Sequence, residues 1–292
     1  MSLDYFMLPL TLFAIQSIAA LSLQLVLGGA GLLSLGHAAY FAIGGYVSAS
    51  VTVFGGQAWG MEPGVGLLLL GLLCGSFASA ICAFLVALPT LRLSGDYLAV
   101  ATLGFGEIVS TILKNLDVVG GTRGFKDIPK LSHPLAIFAV LGAVFLFIYR
   151  FYKTGTGLSV LATRDDDIAA RSLGISPFRT KVTAFVIGAS LSALAGGLYA
   201  HTVQFLSPEA AGFERSVEIV LAVVMGGMYS LRGCILGALI LVGVPEVLRF
   251  APAWISSQRM LFFAVIVIGI MLLNPKGLSG WMDRFWVKEA KA

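Results

Sequence analysis

Charge is what this chain has least of. Asp, Glu, Lys and Arg make up 12% of its 292 residues, about half of the quarter usual in a soluble domain. Residues 5–61, 63–91 and 182–208 contain none of the four. A soluble core does not need charge-free runs this long, whereas a helix crossing a hydrocarbon layer needs about 20 such residues. Cysteine is scarce too: Cys74, Cys82 and Cys234 form no C-x-x-C pair, which excludes a disulfide scaffold and a thiol redox motif and leaves them as small packing residues. Three scattered histidines, His37, His133 and His201, have no metal-ligand spacing. No G-x-S-x-G or H-E-x-x-H nominates a nucleophile or a zinc site. The dipeptide Gly-Lys never occurs, so a Walker A loop is excluded and any ATP chemistry belongs to another chain.

What is present is apolar: 58% of residues, with a mean hydropathy of +0.94. The pattern predicts an all-α, polytopic transmembrane bundle of about nine spans, with eight to ten open. They fall near 6–27, 37–54, 64–88, 97–115, 134–151, 182–204, 216–231, 233–250 and 258–274. A broken or re-entrant piece near 28–40 would account for a tenth. Asp4 and the lack of a basic start argue against a cleaved signal. Basic residues set the orientation. With residues 152–181 cytoplasmic, that side collects 12 of the 19 Lys and Arg, placing the N-terminus outside and the tail 275–292 inside. The net charge of +4 expresses this bias and does not argue for nucleic acid. Trp281 and Trp286 fit an interfacial belt. The whole chain, 1–292, reads as one membrane domain with an external loop at 115–133.

Glycine is abundant, at 35 residues, and often paired inside apolar segments, as in GGAGLLSLGH (28–37) and MGGMYSLRG (225–233). Close helix packing and interrupted helices lining a path both use such pairs. Charges within spans are costly, about 2.5–3.5 kcal/mol at a helix centre. Glu107 is the deepest, with Glu218 and Glu246 nearer segment ends; a polar path competes with a buried, neutral structural carboxyl. An ion-coupled secondary transporter using Glu107 is therefore one reading, and a non-transporting scaffold another.

One short segment breaks the apolar rule: ATRDDDIAARSLGISPFRTK, residues 162–181, with seven charged residues. Thr163 is placed to cap a helix, with Asp166 three residues on, and Asp165 to Asp167 suit the positive end of a helix dipole. Ile168, Ala169, Ala170 and Leu173 form a small apolar stripe. Gly174 can end the helix left-handed with Ile175 folding back, and Pro177 stops it. A helix of two to three turns is unstable alone in water, so it calls for a docking partner. Three aspartates and two alanines suit a protein groove better than a lipid surface, and an ordinary structured loop is the competing reading.

TRDDDIAARSLGI resembles the cytoplasmic coupling loop of ABC-importer permeases. SLGHAAYFAIGGY (34–46), LRLSGDYLAVATLGFGEI (91–108), GGTRG (120–124), VVMGGMYSLRG (223–233) and LLNPKGL (272–278) are similar, in order and spacing, to the LivM-type permease of branched-chain amino-acid importers. The resemblance implies a fold like the vitamin-B12 importer, with inverted repeats. It also implies a LivH-like partner permease, two ABC ATPases that bind the ATP and Mg, and a periplasmic binding protein, all in a bacterial inner membrane. This chain itself would carry no cofactor and no enzymatic activity. The substrate implied is a branched-chain or related small amino acid. On the coupling motif fall Arg164, Asp165, Asp166, Ala169, Ala170 and Gly174; the family usually has Glu where Asp166 or Asp167 stands. The matched segments nominate Ser34, His37, Tyr97, Thr102, Glu107 and Gly226 for the translocation path. Arg123 and Lys126 are candidates for docking the binding protein, although a solvated loop also explains them.

Overall fold

A computed structural model describes residues 3–56, 60, 64–93, 95–249, 258–273 and 277–279. Trp281, Trp286 and most of the tail lie outside them. The helices are α1 (Leu3–Gln24), α2 (His37–Ser50), α3 (Val65–Thr90), α4 (Asp96–Asn115), α5 (Pro134–Phe151), α6 (Gly155–Asp165), α7 (Asp167–Ser172), α8 (Pro177–Val203), α9 (Phe213–Gly226), α10 (Leu231–Leu248) and α11 (Arg259–Leu273). Among the described residues the only extended pairing is the antiparallel bridge between Phe125 and Leu206.

Nine of these helices stand on the nine apolar segments of the sequence. Seven helices are long and apolar enough to cross a membrane. The fourteen residues of α9 extend only about 21 Å at 1.5 Å each, short of a hydrocarbon layer of about 30 Å. The sequence predicts this segment to run to 231, but it stops at Gly226 because Gly227 takes φ +107. Two π turns, Leu25–Gly29 and Val51–Gly55, continue α1 and α2. Between α1 and α2 the chain runs without regular structure from 30 to 36, inside the interval where a broken piece is expected.

The centre is α8, which packs against α1, α2 and α3. It can do so because its contact faces are small. Gly188, Ala189, Ser192, Ala193, Gly196 and Gly197 are all buried. A Cβ at Gly44 of α2 would run into the Ala193 backbone, and one at Gly196 into the Phe41 carbonyl. Gly75 brings α3 against Gly44 in the same layer. Lipid tails are as apolar as leucine, so close van der Waals contact rather than water expulsion holds such helices together. Tyr40, Phe41 and Phe185 fill the remaining core. Cys234 is buried here, whereas Cys82 is only partly covered and Cys74 faces outward; the packing role expected of all three fits Cys234 best.

Loop 116–133 lies at the same end as the start of α1, since Met7, Leu8 and Thr11 share a cleft with 130–134 and Thr202. The opposite end carries α6, α7 and the turn between α9 and α10.

Gly44→Val should cost about 1–3 kcal/mol through overpacking against α8 and lower the thermal midpoint of the detergent-solubilised protein. At Gly104, where a Cβ meets no atom within 4 Å, alanine should not destabilise and should raise stability by up to about 1 kcal/mol, since glycine within a helix is the less favourable residue.

Candidate functional site

The polar segment 152–181 folds as a two-helix arm. Thr154 caps α6, its side chain accepting from Gly157 N–H. This shifts the expected cap. Thr163 does not start a helix but lies buried in the last turn of α6, bonded to the Ser159 carbonyl at 2.8 Å and to Thr180 Oγ1 at 3.1 Å. The cap of α7 is Asp166, whose carboxylate accepts from Ile168 N–H at 2.8 Å and Ala169 N–H at 3.1 Å. Those two donors hold its carboxyl below the usual carboxylate range. The three aspartates thus have three separate partners. Asp165 pairs with Arg164 at 2.7 Å, Asp166 caps, and Asp167 reaches Lys181 of α8 at 2.7 Å. The Asp167–Lys181 pair is half-exposed and contributes about 0–1 kcal/mol, so it fixes direction more than stability.

At the far end Gly174 adopts φ +78. Its N–H donates to the Arg171 carbonyl at 3.0 Å and Ile175 N–H to the Ala170 carbonyl at 3.1 Å, the paired closing bonds of a left-handed helix stop. Pro177 is the first residue of α8, a position where its missing N–H costs nothing; it opens the next helix rather than only blocking the last. The apolar stripe is split. Ala170 is 2% exposed and faces the bundle, while Ile168 and Leu173 are 81% and 76% exposed and face away.

Ser34, His37 and Thr102 come together at the break between α1 and α2. Thr102 Oγ1 accepts from Leu35 N–H at 3.1 Å, and His37 Nε2 lies 2.9 Å from Ser22 Oγ. The Ser34 hydroxyl is fully buried with no partner among the described residues. Ser216 of α9 accepts from Ala38 N–H at 3.3 Å, and Ser192 of α8 donates to the His37 carbonyl at 3.4 Å. Ser22, Ser192 and Ser216 were passed over in the sequence because lone serines in apolar spans carry no local pattern.

Glu107 lies further along α4, past Gly106, which faces Gly36. Of the two readings of Glu107, the buried carboxyl does not hold: Glu107 is exposed, and its Oε1 accepts from Phe213 N–H at 3.1 Å, at the start of α9. Tyr97 stands apart on the outer face of α4, 77% exposed. Gly226 also stands apart, pressed against Gly233 where α9 meets α10. Of the two other carboxylates, Glu218 pairs with Arg215 at 2.6 Å and Glu246 with Arg249 at 3.4 Å.

Loop 116–133 is tied down rather than free. Gly120, Gly121 and Gly124 take φ of +89, +51 and +76. Phe125 N–H donates to the Leu206 carbonyl at 2.9 Å and Leu206 N–H to the Phe125 carbonyl at 3.0 Å. His201 Nδ1 lies 3.0 Å from the Pro129 carbonyl, which can only accept. The ring is therefore protonated on Nδ1, and its Nε2 takes the Ser48 hydroxyl at 3.2 Å. Arg123 and Lys126 are exposed and, with Lys114, Asp117 and Asp127, line a concavity of about 860 Å³.

Residues 6–272 match the family described as branched-chain amino acid transport system / permease component. The high-affinity branched-chain amino acid transport system permease protein LivM of Escherichia coli (strain K12) is 34% identical, over 92% of this chain and 68% of that protein. A probable LivM of Methanocaldococcus jannaschii is 25% identical, over 95% of this chain and 94% of that protein. The LivH permease of Salmonella typhimurium is 24% identical, over 92% of each. No solved structure matches.

Two variants test the arm. Gly174→Val should cost about 1–2 kcal/mol by forcing a β-branched residue left-handed, giving faster amide exchange confined to 167–175. The pH dependence has a definite sign. A carboxyl depressed in the folded state stabilises α7 above its unfolded pKa, and that stability is lost as pH falls through the depressed value. Intrinsic-rate-corrected exchange at Ile168 and Ala169 should show that loss, and Asp166→Asn, which caps without titrating, should abolish the step.

Proposed function

The chain belongs to the family of branched-chain amino acid transport permease components, and from this premise we propose that it is one of two unlike membrane subunits of an ATP-driven importer. The second would be a LivH-like permease, two ABC ATPases would bind ATP and Mg, and a periplasmic binding protein would deliver a branched-chain amino acid. All of 1–292 would act as one permease domain in the inner membrane, with nine spans and a vitamin-B12-importer-like inverted repeat. The distribution of Lys and Arg supports a cytoplasmic α7, an outer N-terminus and loop 115–133, and a cytoplasmic tail 275–292.

One observation carries this reading. A six-residue helix, capped at both ends, projects Ile168 and Leu173 beyond the bundle. Unpartnered, such a helix is marginal and its apolar side chains are wasted on solvent. Seated in a groove of an ATPase, both gain a role. Closure of the ATPase pair would then pull α7, and the membrane halves would rock between outward-open and inward-open states.

The path is supported by the outer face of α4. Asp96, Gly104, Glu107 and Thr111 share that side with Tyr97, Val100 and Ile108. A carboxylate in mid-span facing lipid would cost about 2.5–3.5 kcal/mol, so this face suits water or a second subunit. Tyr97 and Glu107 would line the path there. Ser34, His37 and Thr102 would support it from behind, and Gly226 would act through packing. The ion-coupled alternative has no support: the relatives are by name permease proteins of high-affinity branched-chain amino acid transport systems, and Glu107 is held by a backbone amide rather than by a second carboxylate.

The test is reconstitution with the partner permease, both ATPases and the binding protein. Leucine uptake should require ATP and the binding protein; uptake driven by a proton or sodium gradient without ATP would overturn the reading. Within that assay Glu107→Gln, which keeps an oxygen for Phe213 N–H, should retain most transport. Glu107→Leu should lower it by up to about tenfold, for a hydrogen bond contributes about 0.5–1.5 kcal/mol net. Arg123→Glu with Lys126→Glu should slow stimulation by the loaded binding protein, most at low salt, since exposed charges are screened beyond about 8–10 Å at physiological ionic strength.

A further inference from the structure

We propose that Arg164 is a positioning residue that bolts the α6–α7 arm to the π turn at the end of α1, so that movement of α7 is delivered to the membrane helices. The inference rests on the importer reading above and concerns how that machine transmits force. Arg164 belongs to the polar motif, yet its side chain does not face the exposed surface of α7. It turns back into the bundle and is only 24% exposed. Nη1 donates to the Gly28 carbonyl at 2.9 Å, while Nε and Nη2 hold Asp165 at 2.8 and 2.7 Å. The guanidinium lies 5.0 Å from the centre of the Tyr229 ring, between α9 and α10. Its stem passes over Gly31, where a Cβ would come within 3.2 Å of Cγ.

The acceptor is available for a local reason. In the π turn Leu25–Gly29 and the residues after it, Ala30, Gly31 and Leu32 N–H groups are taken by the Leu25, Leu27 and Val26 carbonyls. The Gly28 carbonyl takes the arginine instead. A π turn differs from the α-helix by one residue in its hydrogen-bond register, and such turns recur at functional sites.

A second bolt sits one turn earlier. Gln24 accepts from the Tyr152 hydroxyl at 3.1 Å through Oε1 and donates to the Met228 carbonyl at 3.2 Å through Nε2. Gly28 lies directly against that Met228 carbonyl and Gly29 against the Tyr152 hydroxyl. The π turn is therefore clasped by Tyr152 at the root of the arm, by Arg164 in the last turn of α6, and by the α9–α10 turn. From the clasp the chain runs through 30–36 to the Thr102 hydroxyl of α4 and the Ser216 hydroxyl of α9. A displacement of α7 that carries Arg164 must either break its bond to the Gly28 carbonyl and leave the Tyr229 ring, or move α1 and the α9–α10 turn with it.

The complete importer, reconstituted in vesicles, decides between a transmitting joint and a mere staple. The readouts are ATP hydrolysis with and without loaded binding protein, substrate carried per ATP, and a spin-label distance from Ser172→Cys to a site on α10 with and without ATP. With Arg164→Met the subunits should still assemble, while substrate carried per ATP falls about fivefold or more, the lower end of ordinary coupling factors. The ATP-driven distance change should shrink with it. Arg164→Lys should recover part of the loss, because a point charge reaches one acceptor without the planar fork. Tyr152→Phe, which deletes one inward hydroxyl far from the exposed face of α7, should reduce coupling in the same direction. Arg164→Met complexes that couple as wild type would overturn the proposal. If that variant fails to assemble, unchanged coupling in Tyr152→Phe overturns it instead. A lower thermal midpoint with an intact distance change would reduce the cluster to a staple. Wild-type complexes without ATP-driven uptake would sink the importer reading, and the joint along with it.

Discussion

Everything in this structure depends on where the helix between α1 and α2 is interrupted. Inside a bilayer a backbone group that leaves the helical ladder finds no water and must be satisfied by protein. The chain leaves the ladder at Gly28 and rejoins it at His37, and its freed groups reach out to three other parts of the fold. Gly28 O goes to Arg164, Leu35 N to Thr102, and Ala38 N to Ser216. Each of those bonds avoids a cost of about 1–3 kcal/mol. In doing so they join the arm, α4 and α9 around one short piece of backbone. A continuous helix here would have needed none of them.

The close approach of backbones follows from the same solvent. With little apolar driving force between helices in lipid, contact has to come from small residues that let carbonyls and Cα atoms meet. That is why α8 carries glycine, alanine and serine where it touches α2 and α3, and why Gly44, Gly75 and Gly196 fall in one layer. Among the described residues the bulkiest fully buried side chains, Tyr40, Phe41 and Phe185, fill what the small residues leave open.

The two ends of the molecule are built alike in one respect. At one end an arm is fastened by side chains to the π turn of α1. At the other, loop 116–133 is fastened to the end of α8 by a two-bond bridge at Phe125 and Leu206 and by the His201 ring. The segment leaving that bridge runs through Pro208–Ala211 to Phe213, whose N–H meets Glu107. Glu107 is thus both the deep carboxylate on the outer face of α4 and the cap of α9.

Local chemistry was enough to place much of this. Charge-free runs located the helices because insertion excludes charge regardless of neighbours. Gly174 was legible as a helix stop because only a residue without Cβ takes φ +78 cheaply. The broken piece near 28–40 was legible from paired glycines. What the sequence could not settle were matters decided by distant atoms. Thr163 has the chemistry of a cap, but α6, unseen as a helix, claims it, and the cap passes to Asp166. The position of Glu107 in an apolar run leaves a polar path and a buried carboxyl both open, because exposure is set by which side of α4 other helices cover. Arg164 reads as part of an exposed motif, yet a carbonyl more than a hundred residues away turns it inward. Hydropathy, propensity and turn chemistry act over a few residues and are written in the sequence. Burial, register between helices and the partner of each freed backbone group arise only when the helices are packed, and those were decided by the tertiary structure.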